Sequence, residues 1–230
     1  MKNLKNDNEL SWSSVVANNA MNRKRIALGV NSYEKDIKIN VISYLKSIEN
    51  EQEVRWVDLC CGEGNALVEV ANSLKKEANS SRYKLEGIDL VGYFNSSVFE
   101  MEDIVAVRET NLSDWITDSK YDLITIVHGL HYIGDKLKLI QYAASRLKKG
   151  GILLANLDVG DIEITNEPNS KKTVQNYFRK EGVDYNLKTK LLKIEGNKTM
   201  QNDFIYLGAD DKVGANYTGQ NVVKSYYQRQ

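Results

Sequence analysis

Proline occurs once in the 230 residues, at Pro168, and cysteine only at the adjacent positions Cys60 and Cys61. Without a proline-rich or glycine/serine-rich linker to divide it, the chain reads as one compact domain over 51–230 with an N-terminal helical extension over 1–50. Neighbouring residues of a strand point to opposite faces, which excludes a disulfide or a chelate between the two cysteines. A reducing cytoplasm is the expected compartment. An excess of one charge is lacking as well, since 31 Lys and Arg balance 31 Asp and Glu. A partner gripped mainly through phosphates needs surplus cations, so no nucleic-acid partner is expected. Purely apolar runs reach about five residues (LITIV, 123–127), far short of the roughly 20 that span a bilayer. The N-terminal stretch has no apolar signal core, so no membrane partner is expected either.

What is present is a 42% hydrophobic fraction, enough for a substantial core. Val41, Leu45 and Ile48 recur at the spacing of an amphipathic helix. From residue 54 short β-rich runs alternate with helical stretches: VRWVDL (54–59), NALVEVANSLKK (65–76), YKLEGIDL (83–90), DIVAVRE (103–109), YDLITIV (121–127) and ILLANLDV (152–159). A helix through Leu137, Ile140, Ala144 and Leu147 is expected to end at Gly150-Gly151. Such alternation calls for a parallel sheet with right-handed crossovers. The last third reads as a helix over 167–182 and an antiparallel hairpin of 186–196 with 199–210, followed by a polar, tyrosine-rich tail without clear period.

The strongest local signal is DLCCGEGNALVEVA (58–71). A G-x-G turn between a strand and a helix lets backbone N–H groups and the helix dipole meet a polar ligand. A dinucleotide fingerprint would put a third glycine where Leu67 stands. Asp58, ending the first strand, disfavours a bound diphosphate and suits a cationic ligand. Asp89 ends the next strand, where a carboxylate can accept hydrogen bonds from a ribose diol, and TNLSDW (110–115) forms a polar turn at the same sheet edge. In an open α/β sheet the ligand lies beyond the carboxyl ends of the strands, so the three turns converge.

These residues, with the block YDLITIVHGLHYIGDKLKLIQYAASRLKKGGILLANL, resemble the class I S-adenosylmethionine-dependent methyltransferases. The resemblance implies an α/β, Rossmann-like fold: a seven-stranded, mostly parallel sheet with an antiparallel last strand, helices on both faces and an N-terminal helical cap. It implies S-adenosylmethionine as cofactor and S-adenosylhomocysteine as product. Gly62 and Gly64 would let the backbone approach the methionine part, and Asp89 would bind the ribose. Leu90 and Leu112 would pack on the adenine, contacted by Asn111 or Ser113, and His128 would pass beside the methionine portion. Tyr33, or Arg23, Arg25 or Asn31, would hold the methionine carboxylate from the cap.

His128 and His131 are the only histidines. With Asp135 they share a helical spacing, but two imidazoles and one acid make a poor metal set, and none is expected. Each is instead a candidate general base or orienting group, with Tyr132 beside them. The turn after the fourth strand is VHGLHY. It lacks the Asp/Asn-Pro-Pro-aromatic loop of enzymes that methylate planar amino groups, and it has no Pro-Cys nucleophile. MNRKRIALGVNSYEKDI (21–37), VHGLHYIGDKL and GANYTGQ with SYY resemble methyltransferases of lanthipeptide-type pathways. That resemblance implies the C-terminal carboxylate of a ribosomally made peptide as acceptor, with His131, Tyr132 and His128 at the site. O- or N-methylation of a small metabolite and a non-catalytic cofactor-binding protein are the alternatives. The tail aromatics Tyr217, Tyr226 and Tyr227 are candidate pocket walls.

Overall fold

The computed structural model describes residues 3–17, 23–49 and 52–230. The expected domain boundary at 50 and 51, the first two residues of the 21–37 stretch, and parts of the first 20 residues lie outside the described residues. Helix α1 (Asp7–Ser11) starts at a capping box in which Asn6 and Glu9 each accept the other's backbone N–H. Ser32 caps α2 (Tyr33–Ile37) and Asn40 caps α3 (Val41–Lys46), each through its side-chain oxygen. Val41 and Leu45 are fully buried, as their spacing predicts.

Strand β1 (Val54–Leu59) leads into α4 (Asn65–Leu74), β2 (Tyr83–Asp89), β3 (Val105–Glu109) and β4 (Tyr121–Ile126). Helix α5 (Lys136–Ser145), β5 (Leu147–Asn156), β6 (Ile162–Ile164) and α6 (Ser170–Lys180) follow. The chain ends with β7 (Asp184–Asn186), β8 (Leu191–Glu195), β9 (Phe204–Asp210) and β10 (Lys224–Arg229). The main sheet has seven strands in the order β3-β2-β1-β4-β5-β8-β7. β1 to β5 pair in parallel, and β8 runs antiparallel to both β5 and β7. This is the Rossmann-like, mostly parallel sheet with an antiparallel last strand. Every position of β4 is buried, as a strand covered on both faces requires. Alternate residues feed two cores: Val57 and Ile124 join α5 and α6 on one face, while Trp56 and Leu123 join α3 and α4 on the other. The strand order reverses between β1 and β4, so the turns after these strands border a crevice at the sheet's carboxyl edge.

Three expectations are corrected. Residues 186–196 and 199–210 do not form a hairpin with each other. β8 pairs with β7 and β5, which uses both its edges, and β9 joins a separate three-stranded sheet in the order β6-β10-β9. Asn197 turns the chain away by donating to the carbonyls of Ser145 and Leu147 at 2.7 and 2.9 Å. Second, α5 stops at Ser145, and Gly150 and Gly151 lie inside β5. A Cβ on Gly151 would stand 2.5 Å from the Tyr121 carbonyl, so glycine marks a close strand approach beside an irregular register rather than a helix cap. Third, the tyrosine-rich tail has a regular role as β10. The Tyr227 hydroxyl donates to Asp135 and accepts from the Leu137 N–H, both at 3.1 Å. Lys136, fully buried, donates to the carbonyls of Ile133 and Val223 and to Ser225 Oγ at 2.7–2.9 Å. β10 is thereby tied to the start of α5, next to the crevice. Among the described residues no helix is long and apolar enough to cross a membrane.

Candidate functional site

The turn after β1 is held open by backbone that only a few residue types adopt. Cys60, Gly62 and Gly64 all have positive φ, at 64°, 61° and 77°. Cys60 and Cys61 donate their N–H groups to the Ile88 carbonyl at 2.7 and 3.1 Å, which locks the turn against the end of β2. There Asp89, 6% exposed, accepts from the Gly62 N–H at 2.8 Å and from the Val91 N–H at 3.0 Å. Arg23 completes the arrangement, with Nη1 3.0 Å from Asp89 Oδ1.

Two lobes of a cleft meet at these residues. The first, about 260 Å³, runs from Asp89 and Leu90 past Asn111, Leu112 and Ser113 to Trp115 and the side of α1. Asn111 accepts from the Ser113 N–H at 3.0 Å, shaping the turn after β3. The second lobe, about 240 Å³, is lined by Arg25, His128, His131 and Tyr132, and by Thr218 and Gln220 from the β9–β10 connection. Both lobes share Arg23, Cys60, Asp89 and Tyr132.

The structure thus brings together Asp89, Leu90, Asn111, Leu112, Ser113, His128, His131 and Tyr132, while Gly62 lines neither lobe and meets the site through its N–H on Asp89. Four further sequence candidates, Asp58, Tyr33, Asn31 and Gly64, are placed elsewhere. Asp58 is fully buried and lines neither lobe. Its oxygens accept the hydroxyls of Tyr33 and Thr125, both at 2.6 Å. Tyr33 accordingly points into the core with its hydroxyl engaged, and Asn31 is exposed. Gly64 caps α4, where a Cβ would stand 3.1 Å from Val98.

The two histidines differ. His128 takes a left-handed backbone with φ 58°, and its ring lies with Nε2 3.4 Å from Asp36 Oδ2, a carboxylate also paired with Arg25. His131, 1% exposed, sits behind it with ring centroids 5.7 Å apart. Its Nδ1 is 3.4 Å from Asp161 Oδ2, and Asn216 Nδ2 donates to the same oxygen at 3.0 Å. Asn216 Nδ2 stands 3.2 Å from the same Nδ1 and the Tyr217 hydroxyl 3.5 Å from Nε2, so the ring proton faces Asp161 when it sits on Nδ1 and Tyr217 when it sits on Nε2. Burial holds the His131 pKa below its ordinary 6.5, with the Asp161 carboxylate opposing. Burial thus favours the neutral imidazole. The Tyr132 hydroxyl donates to Gln220 Oε1 at 2.6 Å, which fixes the β9–β10 connection over the lobe. Asp135 does not complete a ligand set with the imidazoles, because its side chain caps α5 and receives Tyr227.

Sequence reading missed Asp161, and it gave Asn216, Thr218 and Gln220 only within the GANYTGQ segment, without a role for any of them. Asp161 follows β5 at the same sheet edge as Asp89, a positional signal that could have found it. The other three lie in a stretch with no periodicity. Arg23 was anticipated as a ligand of a cofactor carboxylate, not as a partner of Asp89.

A family model described as a methyltransferase domain matches residues 33–178. No curated protein matches the chain. Solved structures similar to it include the plantazolicin methyltransferase BpumL in complex with SAH, at 16% identity and a TM-score of 0.41, over 50% of this chain and 42% of that one. CalS10, an amino pentose methyltransferase from Micromonospora echinaspora, is 16% identical with a TM-score of 0.39, over 50% and 47%. YjhP from E. coli is 16% identical with a TM-score of 0.41, over 64% and 55%. The chain spans less than half the length of the first two.

Proposed function

Since the chain belongs to the methyltransferase-domain family, whose model covers residues 33–178, we propose that it moves a methyl group from S-adenosylmethionine to a hydroxyl oxygen. The acceptor is a small molecule, or the hydroxyl-bearing end of a larger one, held in the lobe between His131 and Tyr132. One observation carries this reading: a buried imidazole at the wall of the second lobe is backed by Asp161.

The first lobe suits an adenosyl group. Asp89 offers a carboxylate oxygen to ribose hydroxyls, Leu90 and Leu112 offer apolar surface for a flat ring, and Asn111 and Ser113 offer polar edges. Gly62 adds its N–H to Asp89 from the turn behind the lobe. When bound, S-adenosylmethionine supplies a sulfonium methyl already activated toward nucleophiles, leaving S-adenosylhomocysteine. The chain's own contribution is placement and proton removal. Fixing an acceptor in line can supply roughly 7–11 kcal/mol of barrier reduction. In the tautomer with its proton on Nδ1, His131 Nε2 takes the hydroxyl proton as the oxygen becomes nucleophilic, while Asp161 stabilises the imidazolium. Tyr132, at the junction of the lobes, orients the acceptor oxygen.

The peptide C-terminal carboxylate suggested by the sequence is the second acceptor considered. A carboxylate is ionised at pH 7 and needs only orientation, so it would give the His131–Asp161 pair no proton to take. The pair therefore favours the hydroxyl. The test is turnover with S-adenosylmethionine and a panel of phenols, alcohols and peptide acids, read by a methyl mass increment. His131→Gln is expected to cost about 10²–10⁴-fold with a hydroxyl acceptor. An alkali-labile ester product, formed as fast by His131→Gln as by the unmodified chain, overturns the hydroxyl reading, and absence of turnover with every acceptor leaves a cofactor-binding protein.

A further inference from the structure

The residue seated on Asp89 is Arg23. Its Nη1 lies 3.0 Å from Asp89 Oδ1, with the two side chains 7% and 8% exposed. Its Nη2 donates to the Val91 carbonyl at 2.7 Å. The main chain of the same residue covers the glycine turn. The Arg23 carbonyl accepts from the Glu63 N–H at 3.1 Å, and a Cβ on Gly62 would stand 2.6 Å from it. One residue thus occupies both the acid expected to take the ribose and the glycine expected to admit the rest of the cofactor.

We infer that Arg23 is a resident competitor for the cofactor site, an affinity-determining residue that must leave Asp89 before a ribose diol can be held there. This inference rests on the reading that S-adenosylmethionine binds in the first lobe. An ionised carboxylate has about four lone-pair positions. Gly62 uses one on Oδ2, and Val91 and Arg23 use those on Oδ1. A diol that binds both oxygens finds one position short while Arg23 stays. Nor is the docked pose ideal for the arginine. Its Nε is buried without a hydrogen-bond partner, and an unmatched buried donor opposes docking. The contact is therefore displaceable by a ligand that satisfies Asp89 better.

The consequence is quantitative. Apparent affinity equals intrinsic affinity scaled by the fraction of molecules with Asp89 open. If nine molecules in ten carry the docked arginine, Arg23→Gln binds S-adenosylmethionine about tenfold more tightly. A residue that instead grips the cofactor carboxylate would weaken binding on the same substitution.

The experiment compares the full chain with Arg23→Gln by calorimetry, using S-adenosylmethionine and S-adenosylhomocysteine separately. Tighter binding of both supports competition, and unchanged or weaker binding overturns it. Trypsin cleavage at Lys24 and Arg25, read by mass spectrometry, gives a measurement without cofactor. The docked segment is expected to resist cleavage, and Asp89→Asn to expose it. Equal cleavage in Asp89→Asn and the unmodified chain shows that Asp89 does not hold the segment and overturns the inference. Cofactor binding to neither protein overturns the functional reading and this competition together. Binding without tightening overturns the competition alone.

Discussion

Asp58→Asn is expected to raise stability steeply with pH relative to the unmodified chain while leaving cofactor binding untouched. The carboxylate is 0% exposed and accepts only the hydroxyls of Tyr33 and Thr125, each at 2.6 Å. Burial lifts its pKa from 3.8 to about 7; the two hydrogen bonds oppose the rise and the nearby Asp89 charge adds to it. A change of about three units at 1.36 kcal/mol each corresponds to roughly 4 kcal/mol. The folded chain binds this proton more tightly than the unfolded chain, so between about pH 4 and 7 it holds more protons. Stability then falls as pH rises through that window, and the full cost is present above it. An amide of the same shape cannot ionise. Its oxygen accepts from Thr125 and its NH2 donates to the Tyr33 oxygen, which leaves the Tyr33 hydroxyl proton without its acceptor, a cost that does not change with pH over this range. The stability difference between Asp58→Asn and the unmodified chain should therefore grow by roughly 4 kcal/mol from pH 4 to pH 8. Urea unfolding followed by tryptophan fluorescence measures it, and Trp56, which donates to Thr125 at 2.9 Å, reports from within the network. Two stability curves parallel within about 1 kcal/mol across this range would refute the reasoning. A tenfold loss of S-adenosylmethionine affinity would return Asp58 to the cofactor site.

Two further outcomes follow from buried groups. Lys136→Met removes the cation that donates to Ile133, Val223 and Ser225; leaving these acceptors unmatched is expected to cost about 3 kcal/mol, and an unchanged urea midpoint would count against it. The His131 ring should titrate below 6.5 by NMR, and Asp161→Asn should lower it further, because that carboxylate works against the effect of burial. An upward movement on that substitution would contradict the pairing.

Much of the sheet could be read from local pattern because its strands are buried on both faces. YDLITI is apolar enough to announce β4 wherever it pairs, and Val41 and Leu45 mark α3 by spacing alone. The errors came where the decisive fact lay elsewhere in the chain. Nothing in residues 186–210 says that β8 already has two partners, so β9 looks like the second arm of a hairpin. Gly150 and Gly151 resemble a helix stop, although Gly151 answers to the approach of the Tyr121 carbonyl across the sheet. The tail lacks alternation because Ser225, Tyr226 and Tyr227 are all buried, between β6, β9 and α5.

The same division runs through the candidate site. In its proposed cofactor lobe, Asp89, Leu90, Asn111, Leu112 and Ser113 end or follow β2 and β3, so each announces itself by its place at the end of a strand. The proposed acceptor lobe joins His131, after β4, to Asp161, after β5, and to the β9–β10 connection some 85 positions on, where Asn216 and Tyr217 meet the imidazole. That connection is fastened at one end by Tyr132 to Gln220 and stands on a sheet outside the seven strands. Its residues can therefore change the shape of the acceptor lobe without disturbing Asp89 or the glycine turn. Arg23 acts in the opposite sense, since it touches Asp89 and the glycine turn directly. On this arrangement, substitutions at Thr218 or Gln220 should alter which acceptor is used at unchanged cofactor affinity. Substitutions at Arg23 should alter cofactor affinity first. The two lobes share Cys60 and Tyr132, which places the proposed cofactor and acceptor positions side by side.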